Sequence, residues 1–502
     1  MKCRSLGLIV AIAAMSPLVP ATPAVGDESV IITQHQIQIA GKPLRYTAET
    51  GRVAIRDVET GEPHAYIFYT AYRVPSPRKP RPVTFVWNGG PGSDSALLHF
   101  KIAGPKRAEG KNLIDNSDTW LGASDLVFVD PVGTGFSRPT KAEYAAEFYG
   151  TLGDTASVTE FVRCWRLLHD ANDAPTFLVG ESWGAGRAAT VGYALERRNV
   201  KVDGLVLISG GTGLNTDYCP KPLQDALRVV DVAVRALYYG KTPAELGKDP
   251  QVVRSTVEDW ARHTYAPALA KADELTDAER TSVIGQLSRF TGMPADKIDR
   301  KTLAFTPRQF LTDLLADQGR RLQTLDTRKT VAADSKAAGS VGELEAAAAI
   351  LRYLRQDLGY RTDLPYVGLE SLEQGYAPSA KYPESVNERW NYATAPMTPE
   401  AYKALLAAAA ESGSGPPRFG PPLPATLEAL GLNPRMKVLV ASGVYDSYAS
   451  CAISEETARR LPPFLQKSIN FKCYDGGHMM YLDPPVKVQL SNDVKAMIEG
   501  AH

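Results

Sequence analysis

The stretch Gly180-Glu-Ser182-Trp-Gly184 follows an apolar run and precedes small residues that favour a helix. A Gly-x-Ser-x-Gly pattern between a strand and a helix is typical of a nucleophile elbow, a sharp turn that exposes a reactive serine hydroxyl. Glycines two residues before and after Ser182 keep side chains out of the crowded turn. The pattern predicts a nucleophile at Ser182, with a structural serine in a tight turn as the alternative.

A serine hydroxyl needs a general base within hydrogen-bond reach, and the base needs an acid that orients it. Three histidines follow Ser182 in the chain. His263 falls within a helical region, and His502 is the last residue. His478 lies in a Gly-Gly-His loop after an apolar run, so it is the predicted base. A loop histidine bonded to the backbone is the alternative.

The predicted acid is Asp446, which comes just after the apolar run 438–441. The resulting order of serine, acid and histidine along the chain is the order used in this type of sheet. Asp475 and Asp483 are competing carboxylates, but both are close to His478 in sequence. A neighbour that close seldom reaches the far nitrogen of the ring. An ordinary turn aspartate at Asp446 is the alternative.

The developing oxyanion requires two preorganised N–H donors, each worth on the order of 3 kcal/mol in the transition state. The backbone N–H of Trp183, directly after the nucleophile, is the first predicted donor. Asn88-Gly-Gly90-Pro-Gly92 follows an early apolar run and allows close backbone approach, so the N–H of Gly90 is the second. A Gly-rich tight turn without a catalytic role is the alternative.

The elements that position these residues follow the pattern of an α/β protein. Residues 28–75 predict antiparallel strands, and later short apolar runs alternate with helical stretches, which predicts a mostly parallel sheet. Chemistry in such sheets gathers at the carboxyl ends of strands, where the motif loops fall. The predicted strands of this parallel part are 83–87, 126–130, 176–179, 205–208, 436–442 and 469–474, and the predicted helices beside them are 154–169, 183–198 and 485–501.

A long segment between the two halves of the sheet has helical spacing. We interpret residues 25–216 and 431–502 as the two parts of the core and residues 217–430 as a helical cap inserted between them. An independent helical domain is the alternative, but the sheet pattern resumes afterwards, which favours an insertion. The helical stretches are 222–239, 251–272, 278–290, 307–325 and 342–358.

The composition limits the partners and the compartment. Basic and acidic residues number 56 each, so there is no basic excess to favour nucleic acid or anionic membranes. Residues 1–24 combine a positive start, a short apolar stretch and small residues, which predicts a secretory signal. The mature chain is therefore expected in the periplasm or outside the cell, without a membrane partner. A retained membrane anchor is the alternative.

Four cysteines remain after the signal, an even number in an oxidising compartment. We favour a Cys451–Cys473 bond, because both lie close to the proposed acid and base, and then Cys164–Cys219 by elimination. Four free buried thiols are the alternative. The chain has neither Cys-x-x-Cys nor His-Glu-x-x-His, so a zinc site has no support. No metal and no cofactor are predicted.

These motifs together resemble the serine carboxypeptidase family of α/β-hydrolases. The resemblance spans residues 65–215 and 430–490 and implies an α/β-hydrolase fold. It is weak in the helical insertion, although Arg321-Leu-x-x-Leu-Asp-x-Arg328 and Trp390-Asn-Tyr are similar to bacterial members. The four signatures that match in order are Trp87-Asn-Gly-Gly-Pro-Gly92, Asp130-Pro-Val-Gly-Thr-Gly-Phe-Ser137, Gly180-Glu-Ser-Trp-Gly184, and Gly443-x-x-Asp446 followed by Gly477-His478.

The resemblance implies that Asn88 and Glu181 hold the C-terminal carboxylate of a peptide. A carboxylate needs donors, so Glu181 must be protonated or bridged, and such a site works best at acidic pH. The sequence departs from the family at Ile102, where a second glutamate is usual, and at Val444, where an extra aspartate is usual. The cations that could compensate at the carboxylate site are Lys101, Lys106 and Arg187.

The residues predict a serine hydrolase, and the resemblance implies a serine-type carboxypeptidase that acts on peptide substrates. The missing glutamate makes an esterase or acyltransferase on the same machinery the nearest alternative. A non-catalytic binding protein with a vestigial pocket is a third hypothesis, which an inert Ser182 would favour. Side-chain preference and oligomeric state are not predicted.

Overall fold

The computed structural model describes residues 28–39, 41–76, 80–214, 218–335, 345–369, 386–394, 398–411 and 424–500. The predicted signal, residues 1–24, lies outside these ranges. Within them, no helix combines the length and the apolar character needed to cross a membrane.

Fourteen strands occur in the described ranges, and ten of them form one sheet. The other four make two small antiparallel hairpins, β5–β6 and β11–β12. The strands are β1 (Ile31–Ile39), β2 (Lys42–Arg56), β3 (Pro63–Arg73), β4 (Val83–Trp87), β5 (Lys106–Glu109), β6 (Asn112–Asp115), β7 (Asp125–Val129), β8 (Arg138–Pro139), β9 (Thr176–Glu181), β10 (Gly204–Ile208), β11 (Arg320–Leu322), β12 (Thr330–Ala332), β13 (Lys437–Gly443) and β14 (Ile469–Tyr474).

The order of strands across the large sheet is β1-β2-β3-β7-β4-β9-β10-β13-β14, with β8 paired to β3. The first three strands are antiparallel, as the pattern of residues 28–75 predicts. From β7 to β14 every neighbouring pair is parallel. This mostly parallel central sheet, with helices on both faces, confirms the predicted α/β class, and it places the carboxyl ends of six strands along one edge.

Helices cover both faces of the sheet and form a separate group between β10 and β13. They are α1 (Ala96–Leu98), α2 (Ala145–Phe148), α3 (Thr151–Leu168), α4 (Trp183–Glu196), α5 (Lys221–Tyr238), α6 (Pro250–Trp260), α7 (Ala266–Ala270), α8 (Asp277–Thr291), α9 (Pro307–Asp313), α10 (Ala347–Arg352), α11 (Pro399–Glu411), α12 (Ala425–Leu432), α13 (Cys451–Arg460), α14 (Pro463–Gln466) and α15 (Pro484–Glu499).

Successive side chains of the parallel strands enter two different cores, one on each face of the sheet, as the two-residue repeat of a strand requires. Phe85 and Leu178 pack with α3 and α4 on one face. Val86 and Val179, one residue further along, pack with α15 on the other. Both faces of these strands are therefore buried, which explains why they consist of continuous apolar runs. Burial on both faces holds the strand ends, and so the loops that follow them, in fixed positions.

The predicted helix at 307–325 is wrong in its second half. The helix α9 ends at Asp313, and residues 320–322 instead pair with 330–332 as an antiparallel hairpin. A short 3₁₀ helix, Ala316–Gln318, follows α9 and ends at Gly319, whose φ of 65° is a left-handed conformation that favours glycine. The hairpin turn that results, 323–329, lies against the loop that carries His478.

Candidate active site

Ser182 lies at the turn between β9 and α4 and has φ 57° and ψ −125°. A positive φ is unfavourable for a residue with a side chain, so the surrounding structure must hold it in place. The glycines on either side explain how this is possible. A Cβ on Gly180 would overlap the backbone of Gly184, so only glycine fits there. The turn leaves Ser182 partly exposed, as expected for a nucleophile elbow.

His478 and Asp446 form a buried pair at the same edge of the sheet. His478 Nδ1 lies 2.7 Å from Asp446 Oδ2, and the two residues are 5% and 0% exposed. Burial disfavours the imidazolium, but the hydrogen bond and the negative charge of Asp446 outweigh it and raise the pKa of His478 above its ordinary value. The pair has the geometry of a base whose ring is oriented by a carboxylate.

Hydrogen bonds hold both the side chain and the backbone carbonyl of Asp446. Its Oδ1 accepts a hydrogen bond from the backbone N–H of Tyr448 at 3.0 Å. Its backbone oxygen accepts one from Arg235 Nη2 at 2.7 Å, and Arg235 Nε also donates to the carbonyl of Val444 at 2.9 Å. A buried arginine of α5 therefore fixes the loop that carries the acid. Sequence reasoning missed Arg235, because nothing in the periodicity of α5 separates it from other helical arginines.

Backbone contacts hold the loop of His478 against its neighbours. The N–H of His478 donates to the carbonyl of Leu325 at 2.6 Å, and its carbonyl accepts from Ser209 Oγ at 2.6 Å. Ser209 follows β10 directly, and the N–H of Ser182 donates to the last carbonyl of that strand, on Ile208, at 2.8 Å. The end of β10 thus joins the serine turn to the histidine loop.

The serine and histidine side chains are not hydrogen-bonded to each other. Ser182 Oγ has no hydrogen-bond partner among the residues that the structure describes. The serine–histidine hydrogen bond expected from the sequence is therefore not formed in this structure. Contacts of this type are often long in a substrate-free enzyme and tighten when substrate binds. The hydrogen bond between Asp446 and His478 is formed. The catalytic role of Ser182, Asp446 and His478 as a triad stays a prediction.

The loop 88–92 packs against the turn that holds Ser182. A Cβ on Gly89 would lie 2.5 Å from the backbone nitrogen of Trp183, so only glycine allows this approach. Trp87 Nε1 donates to the carbonyl of Gly184 at 2.9 Å and fastens the loop to the first turn of α4. Gly90 follows with a φ of 101°. The two predicted oxyanion donors, Gly90 and Trp183, therefore belong to segments in contact.

Asn88 and Glu181 are in contact and both are only 4% exposed. Asn88 Nδ2 donates to Glu181 Oε1 at 3.3 Å, and Asn88 Oδ1 accepts from the N–H of Leu98 at 3.0 Å. Burial raises the pKa of Glu181, and the nearby His478 acts against this shift. A protonated Glu181 can donate a hydrogen bond, which is what binding of a carboxylate requires.

Two of the three cations considered as compensating groups are engaged elsewhere. Arg187 is buried and donates to Asp154 Oδ2 at 2.6 Å and to the carbonyl of Asn88 at 2.8 Å. It supports the loop rather than facing a substrate. Lys106 lies in the β5–β6 hairpin and pairs with Asp115 at 2.5 Å. Neither cation is therefore free in this structure to hold a substrate carboxylate.

Ile102, at the position of the expected second glutamate, is fully buried in the apolar core. Its surroundings would not accept a charged side chain without a partner. The neighbouring Lys101 is subject mainly to burial, which lowers its pKa, and to the charges of Glu345 and Arg107. The carboxyl partner of Glu181 is thus absent from this position.

Tyr481 is a site residue that sequence reasoning missed. It is 1% exposed and lies three residues after His478. Its phenol and the carboxyl of Glu181 are close enough to affect the pKa of each other, and the amide of Asn88 affects both. The motif Gly-Gly-His-Met-Met-Tyr was visible in the sequence, but nothing local showed that its tyrosine turns towards Glu181.

A cavity of about 380 Å³ opens beside the imidazole of His478. The hairpin turn 323–329 forms one wall and the histidine loop forms the other. The cavity is lined by Tyr238, Leu325, Asp326, Arg328, Lys329, Gly477, His478, Met479, Leu482 and Asp483.

One of the two expected disulfides is formed. Cys451 at the start of α13 bonds to Cys473 in β14, with 5.8 Å between their Cα atoms. The second pairing is wrong, because Cys164 and Cys219 are both free. Cys164 lies on α3 beside Glu160, whereas Cys219 is buried among residues of α5, α6 and α8, so the two thiols belong to different layers.

The model of the serine carboxypeptidase family matches residues 42–209. A serine carboxypeptidase-like 51 of Arabidopsis thaliana is 30% identical over 143 residues, which are 26% of this chain and 30% of that protein. A pheromone-processing carboxypeptidase KEX1 of Verticillium alfalfae is 31% identical over 120 residues, 24% of this chain and 19% of that protein. The chain therefore spans less than a third of these relatives.

Among solved structures, a prohormone-processing carboxypeptidase of Saccharomyces cerevisiae aligns with a TM-score of 0.47 and 14% identity, over 91% of each chain. The segment matched by the family model holds Ser182 and the first three signatures, whereas Asp446 and His478 lie beyond it. Residues 42–209 are therefore similar to the serine carboxypeptidase family, and the curated relatives that match part of the chain carry the same family name or a carboxypeptidase name.

Proposed function

We propose that the protein is a serine-type carboxypeptidase that cleaves C-terminal peptide bonds through an acyl-enzyme on Ser182. The observation that carries this proposal is the arrangement at one sheet edge of a strained serine turn, a buried His478–Asp446 pair and a Gly-rich loop against Trp183. The family match of the segment around Ser182 supports it.

In the first half of the reaction, Ser182 Oγ attacks the carbonyl carbon of the last peptide bond. His478 Nε2 takes the hydroxyl proton, while Asp446 accepts the hydrogen bond from Nδ1 and stabilises the imidazolium. The carbonyl oxygen becomes an oxyanion, which the N–H groups of Gly90 and Trp183 stabilise. The intermediate then collapses, the C–N bond breaks, and His478 returns the proton to the leaving amine.

In the second half, water replaces the released amino acid. His478 takes a proton from that water, and the hydroxide attacks the ester carbonyl on Ser182. The same donors at Gly90 and Trp183 stabilise the second oxyanion. Cleavage of the ester bond returns the proton to Ser182 and releases the shortened peptide with a new free carboxylate.

The position of the cleaved bond depends on recognition of the free C-terminus. We assign this role to Asn88 and Glu181, which are adjacent and next to the nucleophile. A protonated Glu181 donates to the substrate carboxylate, whereas an ionised Glu181 repels it. Burial raises the pKa of Glu181, so its protonated form persists to a higher pH than that of an ordinary glutamate.

An esterase or acyltransferase is the second candidate, and Ile102 is the observation that favours it. The buried isoleucine removes the second carboxyl of the expected recognition pair, so a free carboxylate could be bound weakly. The covalent machinery would be identical. Only the preference between free acids and neutral acyl groups separates the two functions.

The decisive experiment compares three matched substrates at acidic pH: a blocked dipeptide with a free C-terminus, the same dipeptide as its amide, and an N-acyl amino-acid ester. A carboxypeptidase is expected to release the terminal residue from the free acid and to leave the amide largely intact. Equal rates on acid and amide, or hydrolysis of the ester alone, would favour the second candidate.

Replacement of Ser182 by alanine is the control that ties turnover to the proposed nucleophile. Loss of the nucleophile is expected to reduce kcat by about 10⁴-fold or more, because the attacking atom is gone. The substitution is small and partly exposed, so the fold should persist, which circular dichroism can check. Unchanged turnover in this variant would refute the covalent mechanism.

We further propose that residues 1–24 are a secretion signal, that the mature protein works in the periplasm or outside the cell, and that it is a bacterial member of the family. Residues 217–430 are proposed as a cap, supported by the contacts of Leu325 with His478 and of Arg235 with Asp446. N-terminal sequencing of the exported protein tests the signal, with a start near Val25 or Gly26 expected.

A further inference from the structure

Two buried polar atoms next to Ser182 face each other without a well-formed hydrogen bond. Within the described ranges, neither Glu181 Oε2 nor the Tyr481 hydroxyl has a partner of regular hydrogen-bond geometry, although the two groups are close enough for each to affect the pKa of the other. Both residues are almost completely buried, at 4% and 1% exposure. Buried polar groups in folded proteins are nearly always satisfied, so two neighbouring exceptions beside a nucleophile indicate a site that is completed by a ligand.

The position of Tyr481 in the chain places it next to the loop that carries the base. It lies in the short 3₁₀ helix Met480–Leu482, directly after the loop of His478. Glu181 lies on the other side, as the last residue of β9 before Ser182. The two side chains approach each other from the two segments that carry the base and the nucleophile.

The chemistry of the three polar groups suits one kind of ligand. Asn88 Nδ2, a protonated Glu181 and the Tyr481 hydroxyl are all hydrogen-bond donors, and none of them brings a positive charge. The charged groups that act on Glu181 are His478 and Asp446, which belong to the catalytic pair. A carboxylate, with two oxygens that only accept, is the group that such neutral donors complement.

We propose that the Tyr481 hydroxyl donates a hydrogen bond to the free α-carboxylate of the peptide, alongside Glu181, and replaces the second carboxyl that Ile102 removes. Tyr481 is then a substrate-binding residue that selects C-terminal free acids. This inference rests on the proposed carboxypeptidase function. It names the residue that would make the activity specific for free C-terminal acids when Glu181 has no second glutamate beside it.

The role of Tyr481 differs in a measurable way from that of a second glutamate. A carboxyl pair shares one proton and loses it as pH rises, whereas a phenol buried beside Glu181 keeps its proton, because burial raises the pKa of Tyr481 far above its ordinary value. With Tyr481 as the permanent donor, binding of the free acid weakens only as Glu181 ionises.

The test is Tyr481→Phe, which removes the hydroxyl and keeps the ring. The kinetics of a free-acid dipeptide and of the matching N-acyl ester are measured at pH 5. The expected result is a rise in KM for the free acid of about tenfold to a hundredfold, the range for a hydrogen bond to a charged group, with kcat and ester hydrolysis nearly unchanged. Tyr474→Phe is the matched control, since Tyr474 is also buried but its hydroxyl bonds to Asp493. This variant should leave the kinetics of both substrates unchanged.

A second variant separates Tyr481 as a donor to the substrate from Tyr481 as a mere partner of Glu181. Glu181→Gln carries an N–H donor at every pH, so the loss of free-acid activity at rising pH should disappear, while its dependence on Tyr481 should persist. If Tyr481 served only to keep Glu181 ionised, Tyr481→Phe would improve free-acid cleavage at neutral pH, which would overturn the proposal.

The inference and the function on which it rests fail in different ways. Preference of the wild type for free acids, together with the same preference in Tyr481→Phe, would refute the role of Tyr481 and leave the carboxypeptidase standing. No preference for free acids in the wild type would refute both. A parallel loss on acid and ester in Tyr481→Phe would show a structural role and also contradict the inference.

Discussion

Asp446 Oδ2 lies 2.7 Å from His478 Nδ1, although 32 residues separate them in the chain. The carboxylate fixes the tautomer of the ring, so that Nε2 is free to accept a proton from the nucleophile. Asp446→Asn should therefore lower kcat by about 10⁴-fold while the protein stays folded. Asp475→Asn changes an exposed carboxylate close to the histidine in sequence and should have little effect. A large loss with Asp475→Asn and a small one with Asp446→Asn would reverse the assignment.

The same pair predicts the pH dependence of ester hydrolysis. The base must be neutral to accept a proton, and Asp446 raises the pKa of His478 in spite of its burial. Turnover of a neutral ester should therefore rise with pH through a pKa above about 6.5, the ordinary value for histidine. In Asp446→Asn the remaining activity should rise at a lower pH. An unchanged midpoint would contradict the proposed coupling.

The Cys451–Cys473 bond joins the segment after the acid to the strand before the base. It closes a loop with a sequence separation of 22, for which chain entropy predicts about 3 kcal/mol of stabilisation. The double variant Cys451→Ser, Cys473→Ser should lower the free energy of unfolding in urea by about this amount. Cys164→Ser removes a free thiol and should leave stability within about 0.5 kcal/mol. Equal stability of the double variant and the wild type would show that the bond is not formed.

Asp94 and Asp130 form an acidic pair beside the loop 88–92. Burial and the charge of Asp130 raise the pKa of Asp94 to about 7. A carboxyl with a higher pKa in the folded than in the unfolded chain binds a proton on folding, so its contribution to stability is greatest at acidic pH and declines as pH rises towards 7. Asp94→Asn should reduce this decline by at most about 4 kcal/mol.

Urea unfolding between pH 5 and pH 8 measures the effect of Asp94. The exposed Asp273→Asn is the matched control and should reproduce the wild-type profile. If stability in Asp94→Asn fell with pH as steeply as in the wild type, the carboxyl would not carry a raised pKa.

The parts of the fold that the sequence predicts are those with local signals. The strand 83–87 and the strand 469–474 have the predicted bounds, because an apolar run followed by Gly-rich residues defines a buried strand and its loop. The residues before and after Ser182 were likewise recognisable, since a sharp turn at the end of a strand needs glycine at fixed positions.

The parts that the sequence does not predict depend on contacts between distant segments. Residues 320–325 continue the helical spacing predicted for 307–325, and only their pairing across the turn with residues 330–332 makes them part of a hairpin. The predicted Cys164–Cys219 bond is wrong because pairing the two cysteines left over takes no account of the distance between the helix layers in which they lie. Tyr481 was missed for the same reason, since its neighbour Glu181 is 300 residues away.

Labelling with a fluorophosphonate, followed by peptide mapping, tests the central claim that Ser182 is an activated nucleophile. The account predicts one phosphonyl adduct, located on Ser182, and its loss or strong slowing in His478→Ala. A folded protein that stays unlabelled at Ser182, or one that is labelled equally fast without His478, would contradict the account.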